Sequence, residues 1–213
     1  MGPMGWCALV PQKALARAKG RVELPVDERK ALAVAMLRDT VAAICVTTGV
    51  RRVAVLWDDV ADRVHVPDVD AVSVKGLGLN ASLERGVTWA RRWFPHLDVV
   101  VVPGDLPALD PLELEVCLAR AGDHSRAFLP DARGDGTTLL TATGDVPLVP
   151  RYGAGSAGAH TATGASPLAL TGVESARSDV DDLESLARAM SIGCGHHTLG
   201  CCASLGLTPL AVR

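Results

Sequence analysis

The chain has 213 residues, 48% of them hydrophobic and only 3% aromatic, which is apolar material for one sizeable core and not for two. Its formal net charge is −3, with 21 Lys and Arg against 24 Asp and Glu. That argues against a nucleic-acid polymer as partner, because phosphate contacts call for a basic excess. No apolar run approaches the roughly 18 residues of a membrane span, and Lys13, Arg17 and Lys19 interrupt the stretch where a secretory leader would be apolar. The expectation is a cytoplasmic protein of one domain, 1–213, with no membrane contact.

Gly5 to Val10 reads as a buried strand that runs into a basic loop, Pro11 to Arg21. A helix is predicted from about Asp27 to Thr47, since Leu32, Met36, Leu37, Val41 and Ile44 recur at helical spacing. Arg52 to Trp57 is a second strand and Ala71 to Val74 a third. A helix from about Asn80 to Trp93 leads to the strand Asp98 to Val102, which stops at Pro103-Gly104-Asp105-Leu106-Pro107. Asp110 is placed to cap a helix over Pro111 to Ala121, with Pro at its first position. Strands follow at Arg126 to Leu129 and Thr138 to Thr141, then a small-residue loop from Tyr152 to Gly164. A short strand over Pro167 to Leu170 and a helix over Asp181 to Met190 precede a tail, 191–213, expected to pack loosely. Aliphatic strands alternating with helices predict an open, mostly parallel α/β sheet flanked by helices. Exposed aliphatic surface on an edge strand is where a homodimer would form.

Six cysteines bear on redox and metal chemistry. Cys7, Cys45 and Cys117 lie in apolar segments, where a free thiol acts as a small hydrophobe. Cys194, His196, His197, Cys201 and Cys202 crowd the tail, but their spacing matches no pair of zinc-ligand arms. The expectation there is that the tail holds no metal.

In open α/β sheets ligands gather at the carboxyl ends of strands. Four groups of residues fall at such ends. Lys13, Arg17, Lys19 and Arg21 follow the first strand and can neutralise a polyphosphate, although no P-loop pattern is present. Asp105 ends the strongest strand, where a carboxylate is costly unless a cation or donors meet it; magnesium would do so. In Asp179-Val180-Asp181 the two carboxylates share one face of an extended segment, although Asp181 and Asp182 also suit helix capping. Gly134 to Thr138 and Gly153 to His160 offer backbone N–H groups and hydroxyls to an anion; His160 reads better as a packing residue than as a ligand contact. Gly76-Leu77-Gly78 has two glycines of a dinucleotide fingerprint, but the acidic residue expected some 20 positions on falls at a strand start, Asp98.

Taken in order, these pieces resemble the phosphoenolpyruvate and 2-phospho-L-lactate guanylyltransferases of coenzyme F-420 (deazaflavin) biosynthesis. The matching segments are Val10-Pro11-Gln12-Lys13 with Ala18-Lys19-Gly20-Arg21, Ala35 to Thr40, and Gly104-Asp105-Leu106-Pro107-Ala108-Leu109. Gly136 to Leu140, Tyr152 to Ser156 with His160, and Asp179-Val180-Asp181 complete the set. The resemblance implies a Rossmann-like nucleotidyltransferase fold of the glycosyltransferase-A type, GTP as donor and Mg2+ as cofactor. It implies Asp105, Asp179 and Asp181 as metal ligands, with Asp105 catalytic. Thr137, Gly153 and Ser156 would hold a small phosphorylated carboxylic acid. Lys13, Lys19 and Arg21, with Asn80, would face the nucleotide, the three cations also serving catalysis. The downstream transferase of the deazaflavin pathway is the implied partner. Four positions depart from the family pattern: Gly20, Tyr152, Asp135 and the Asp182-Leu183 that follows Asp181.

The chemistry agrees with the residues. A phosphate monoester has a second pKa of about 6, so its dianion attacks without a general base. What such a reaction needs is in-line placement and charge neutralisation at the α-phosphate. The alternatives are a molybdopterin or sugar-phosphate nucleotidyltransferase, a glycosyltransferase that uses DxD, or a nucleotide-binding protein without activity.

Overall fold

The computed structural model describes residues 5–13, 22 and 24–208. Strands β1 (Trp6–Gln12), β2 (Val50–Trp57), β3 (Asp70–Ser73) and β4 (Asp98–Val101) alternate with helices α1 (Val26–Val46) and α2 (Leu79–Trp93). Helix α3 (Pro111–Ala121) precedes β5 (Arg126–Pro130) and β6 (Thr137–Ala142). Helix α4 (Ser156–Ala162), β7 (Ser166–Pro167), α5 (Glu174–Arg177), α6 (Leu183–Ile192) and α7 (His196–Ser204) complete the chain.

The seven strands form one sheet in the order β3-β2-β1-β4-β6-β5-β7. Only β6 runs against the others, antiparallel to both β4 and β5. The strand order reverses around β1, and crevices for ligands open at such a point. Because β6 is reversed, its first residue, Thr137, stands at the same rim as the carboxyl ends of β1, β4 and β5.

Both faces of the sheet are covered, which is why its strands are continuously apolar. Ala8, Val10, Val53, Val55 and Val100 pack with Leu37, Val41 and Ile44 of α1 and with Leu114 and Leu118 of α3. The alternate residues Cys7, Leu9, Ala54, Leu56, Val99 and Val101 pack with Leu83, Val87 and Ala90 of α2. All five residues that set the expected period of α1 are buried. The carboxylate of Asp110 accepts from the N–H of Leu112 at 2.8 Å and caps α3 as its sequence predicts.

Two expectations need correction. The stretch from Tyr152 to Gly164 is not wholly loop: Ser156–Ala162 forms α4, entered through Gly155 at φ +67°, with Ala157 buried and its N–H donating to Asp135 O at 3.0 Å. Nor does the tail pack loosely over its described part. Helix α7 lies on α1, and Cys194 and Cys202 join Leu32, Met36, Val180 and Leu186 in a third apolar cluster. The Asp39 carboxylate on α1 receives the N–H groups of His197 (3.1 Å) and Thr198 (2.6 Å) at the start of α7. Among the described residues no helix is long and apolar enough to cross a membrane.

Candidate active site

A cleft of about 640 Å³ opens at the carboxyl rim of the sheet. Its lining includes Lys13 after β1, Asp105 after β4, Thr137 at the start of β6, and Gly153 and Ser156 at the entry to α4. Asp179 and Asp181 line it as well. Residues chosen from separate stretches of sequence thus meet at one place. Lys19 and Arg21 lie outside the described residues.

Asp105 owes its position to two neighbours. The backbone at Gly104 approaches β1 so closely that a Cβ there would fall 2.9 Å from Leu37 Cδ1 and 3.3 Å from Val10 Cγ1. A larger residue would push the turn outward and displace the next carboxylate. One residue later, the N–H of Leu106 donates to the buried hydroxyl of Thr40 on α1 at 3.1 Å, while that hydroxyl donates to Met36 O at 2.8 Å.

The second acidic segment is carried to Asp105 by the backbone. Val180 N–H donates to Asp105 O at 3.0 Å. Val180 itself is fully buried in the third cluster, and side chains alternate along an extended segment. Asp179 and Asp181 therefore face away from that cluster, into the cleft. Upstream, Arg177 fixes the approach by donating to Pro130 O (2.9 Å), Leu168 O (3.3 Å) and Leu170 O (3.2 Å). Glu113 on α3 accepts from Ser175 N–H at 2.8 Å and from the Ser175 hydroxyl at 2.6 Å, anchoring α5. The capping role weighed for Asp181 or Asp182 falls to Asp182, which accepts from Ser185 N–H at 2.8 Å. A hydrogen bond from the Ser185 hydroxyl (2.7 Å), then that from its N–H, with Arg133 and Arg188 beside it, hold the Asp182 carboxyl below the usual carboxylate range.

Two loops form the opposite wall. Asp131 accepts from Gly134 N–H (2.7 Å) and Gly136 N–H (3.1 Å), closing a tight turn between β5 and β6 that presents Thr137. Asn80 braces the loop at Gly153. Its amide donates to Tyr152 O (3.2 Å) and accepts from Tyr152 N–H (2.9 Å), so it holds the loop at Gly153 and is not among the cleft-lining residues. Burial pushes the Tyr152 phenol far above its ordinary pKa, so it stays protonated.

Sequence reading passed over several contributors. Arg133 lines the cleft and lies 4.0 Å from Asp182. Asp131 lines it too, and with Asp135, marked in the sequence as a departure from the family pattern, the cleft has five carboxylates against Lys13 and Arg133 among the described residues. Such an excess repels an anionic ligand unless cations enter with it. A charged residue in a glycine-rich turn was the available signal for Arg133, and the matching segment Ala35 to Thr40 the one for Thr40; for Arg177, which acts through backbone contacts, there was none.

Three carboxylates converging on one cleft offer oxygen donors, the set a hard divalent cation prefers. A separate group, Asp39 with His196 and His197, brings three ligand-type atoms within 4.8 Å of one another. There, however, both Asp39 oxygens already accept backbone N–H groups at a helix start, where the helix dipole disfavours a cation. Burial raises Cys7, Cys117 and Cys194 to about 12, so these thiols are neither nucleophiles nor ready ligands. A smaller cavity, about 370 Å³, is lined by Arg52, Arg63, His65, Asp68 and Asp70, charges of both signs, and none of the residues marked in the sequence reaches it.

The doubly wound sheet with its cleft at this rim has the nucleotide-diphospho-sugar transferase fold. The chain is similar to a Desulfovibrio desulfuricans protein named for nucleotide-diphospho-sugar transfer, with TM-score 0.65 and 16% identity over 85% of this chain and 84% of that one. It is also similar to Rv0371C of Mycobacterium tuberculosis, solved in complex with manganese, with TM-score 0.58 and 16% identity over 88% and 98% of the two chains. In sequence it is 43% identical over 207 residues to the phosphoenolpyruvate guanylyltransferase of Streptomyces coelicolor, covering 95% of this chain and 98% of that protein. The family described as "Guanylyl transferase CofC like" matches residues 6–208, and the chain belongs to it. It is an enzyme, a guanylyltransferase.

Proposed function

We propose that the protein transfers GMP from GTP to phosphoenolpyruvate, releasing pyrophosphate, in the biosynthesis of coenzyme F-420. The observation that carries this reading is the meeting of Asp105, Asp179 and Asp181 with Lys13 and Thr137 at one cleft, in a chain 43% identical to a phosphoenolpyruvate guanylyltransferase. 2-Phospho-L-lactate is the other acid that the same site would accept, differing at the three-carbon skeleton and not at its charged groups.

In this reaction an oxygen of the acid's phosphate attacks the α-phosphorus of GTP. The bond from α-phosphorus to the bridging oxygen breaks, and pyrophosphate departs with that oxygen. No side chain need take a proton, because the attacking phosphate is already a dianion. Asp105, Asp179 and Asp181 would hold Mg2+, which supplies charge neutralisation at the phosphates when bound. Lys13, with Lys19 and Arg21 of the basic loop, would bind the β- and γ-phosphates and offset the charge on the leaving group. Thr137, with the backbone around Gly153 and Ser156, would seat the acid so that its phosphate lies in line with the leaving oxygen. Manganese in the similar Rv0371C supports a divalent cation in this fold and not the choice of magnesium.

Pyrophosphate release is the direct test, with GTP, Mg2+ and each of phosphoenolpyruvate, 2-phospho-L-lactate and 3-phosphoglycerate in turn. The downstream transferase of the pathway is included to consume a labile product. Release with phosphoenolpyruvate is expected; release with 2-phospho-L-lactate alone would reassign the acid, and release with none would overturn the reading.

A further inference from the structure

His160 is fully buried inside α4, yet it is built to do more than fill space. Its ring lies against Tyr152 (centroids 5.1 Å apart) and Phe128 (5.8 Å). Each ring nitrogen has one polar neighbour. Nε2 receives the backbone N–H of Arg151 at 2.9 Å, and Nδ1 lies 2.9 Å from the hydroxyl oxygen of Thr137. A backbone N–H can only donate, so Nε2 must be the bare nitrogen. The proton of the neutral ring is then on Nδ1, and Nδ1–H donates to Thr137 Oγ1. Burial, and then the Arg151 charge, lower the ring to a pKa of about 4, so the neutral form holds at physiological pH.

The consequence falls on Thr137. Its oxygen is occupied as an acceptor from His160, so its own O–H must point elsewhere, and Thr137 lines the cleft. We propose that His160 is a positioning residue that fixes the Thr137 hydroxyl as a donor into the cleft, selecting an acceptor-only anionic oxygen of the acid substrate. A hydroxyl free to rotate would serve donors and acceptors alike. One locked in this sense favours a carboxylate and disfavours an amide or alcohol presenting hydrogen. The proposal rests on the reading of the cleft as an acid-binding guanylyltransferase site.

The decisive comparison uses His160→Asn, which keeps a donor near the Nδ1 position, against His160→Gln, which keeps an acceptor for Arg151 N–H and loses that donor. The asparagine variant is expected to hold the KM for phosphoenolpyruvate within about twofold. The glutamine variant should raise it roughly tenfold, the loss of one hydrogen bond to a charged group, with the KM for GTP unchanged. In a Thr137→Val background His160→Gln should add nothing further, because the two residues act in series. Equal effects of the two substitutions, or additive effects with Thr137→Val, would show that His160 only supports the fold. Nitrogen NMR of the wild-type ring needs neither turnover nor a stable variant. A protonated Nδ1 and bare Nε2 between about pH 6 and 9 are expected, and the opposite tautomer overturns the proposal. Wild-type protein that shows the expected tautomer but releases no pyrophosphate with any acid would sink the guanylyltransferase reading and leave the orientation of Thr137 standing.

Discussion

The cleft and the α1–α7 contact hold the same kinds of residue and do opposite things with them. Each gathers carboxylates and other ligand-type side chains from distant parts of the chain. At α7 the Asp39 oxygens are used up on two backbone N–H groups, Cys194 and Cys202 are sunk in an apolar cluster, and the result is a docked helix. In the cleft the structural bonds are made by backbone, as in Val180 N–H to Asp105 O, or by neighbours such as Thr40, Arg177 and Asp131. The side chains of Asp105, Asp179 and Asp181 line that cleft.

Substitutions that separate the two regions test this contrast. The largest effect is expected from Asp105→Asn, which keeps size and removes charge. Turnover should fall at least about a thousandfold with Tm nearly unchanged; near-normal pyrophosphate release would remove Asp105 from the metal centre. Asp39→Ala should do the reverse. Leaving two buried N–H groups without an acceptor costs about 2–4 kcal/mol in urea unfolding, while kcat per folded molecule stays normal. Loss of turnover in protein that remains fully folded would contradict the division.

A smaller effect comes from His160, which belongs partly to each category. Its folded pKa of about 4 lies below the ordinary 6.5, so the unfolded chain binds the extra proton between those values. Stability should therefore be intact above about pH 6.5 and fall as the pH drops toward 4, by at most about 1.4 kcal/mol per pH unit from this residue. His160→Asn should flatten that part of the profile; an unchanged slope would mean that other groups carry it. The smallest effect is expected from His196→Ala and His197→Ala, within about 0.5 kcal/mol of wild type and with no rise in Tm on adding zinc. A clear zinc-dependent rise in wild type, abolished by either change, would make the tail a metal site after all.

The division also governs how much could be read from the sequence. Elements that announce themselves by local pattern were legible: α1 through its helical spacing of Leu and Met, α3 through Asp110 and Pro111, and β1, β2 and β4 through aliphatic runs buried on both faces. Helix α4 was not, because Ser, Ala and Gly leave no apolar period, and its start depends on Asp135 O from another loop. Helix α7 was not, because the carboxylate at its start lies 158 residues away from His197. The reversed direction of β6 also left no local trace.

In the site, Asp105 was legible from its place at a strand end, and the pairing of Asp179 with Asp181 from their spacing. Their meeting was implied by the family resemblance alone, since it depends on one backbone bond and on the burial of Val180. Asn80 was recognised as a position of consequence, and its amide braces the Tyr152 backbone. The supporting residues Thr40, Glu113, Arg177 and His160 act only through partners brought together by the fold. Sequence pattern names groups that face a ligand more readily than groups that hold them there.

The central claim is that the cleft moves a guanylyl group. The most direct measurement follows GTP labelled at the α-phosphorus in one sample and at the γ-phosphorus in another, each incubated with the enzyme, Mg2+ and phosphoenolpyruvate. The account predicts that the α-label becomes attached to the acid, that the γ-label leaves as pyrophosphate, and that Asp105→Asn stops both. A γ-label found on the acid, or an α-label that never leaves GTP under any of these conditions, would contradict it.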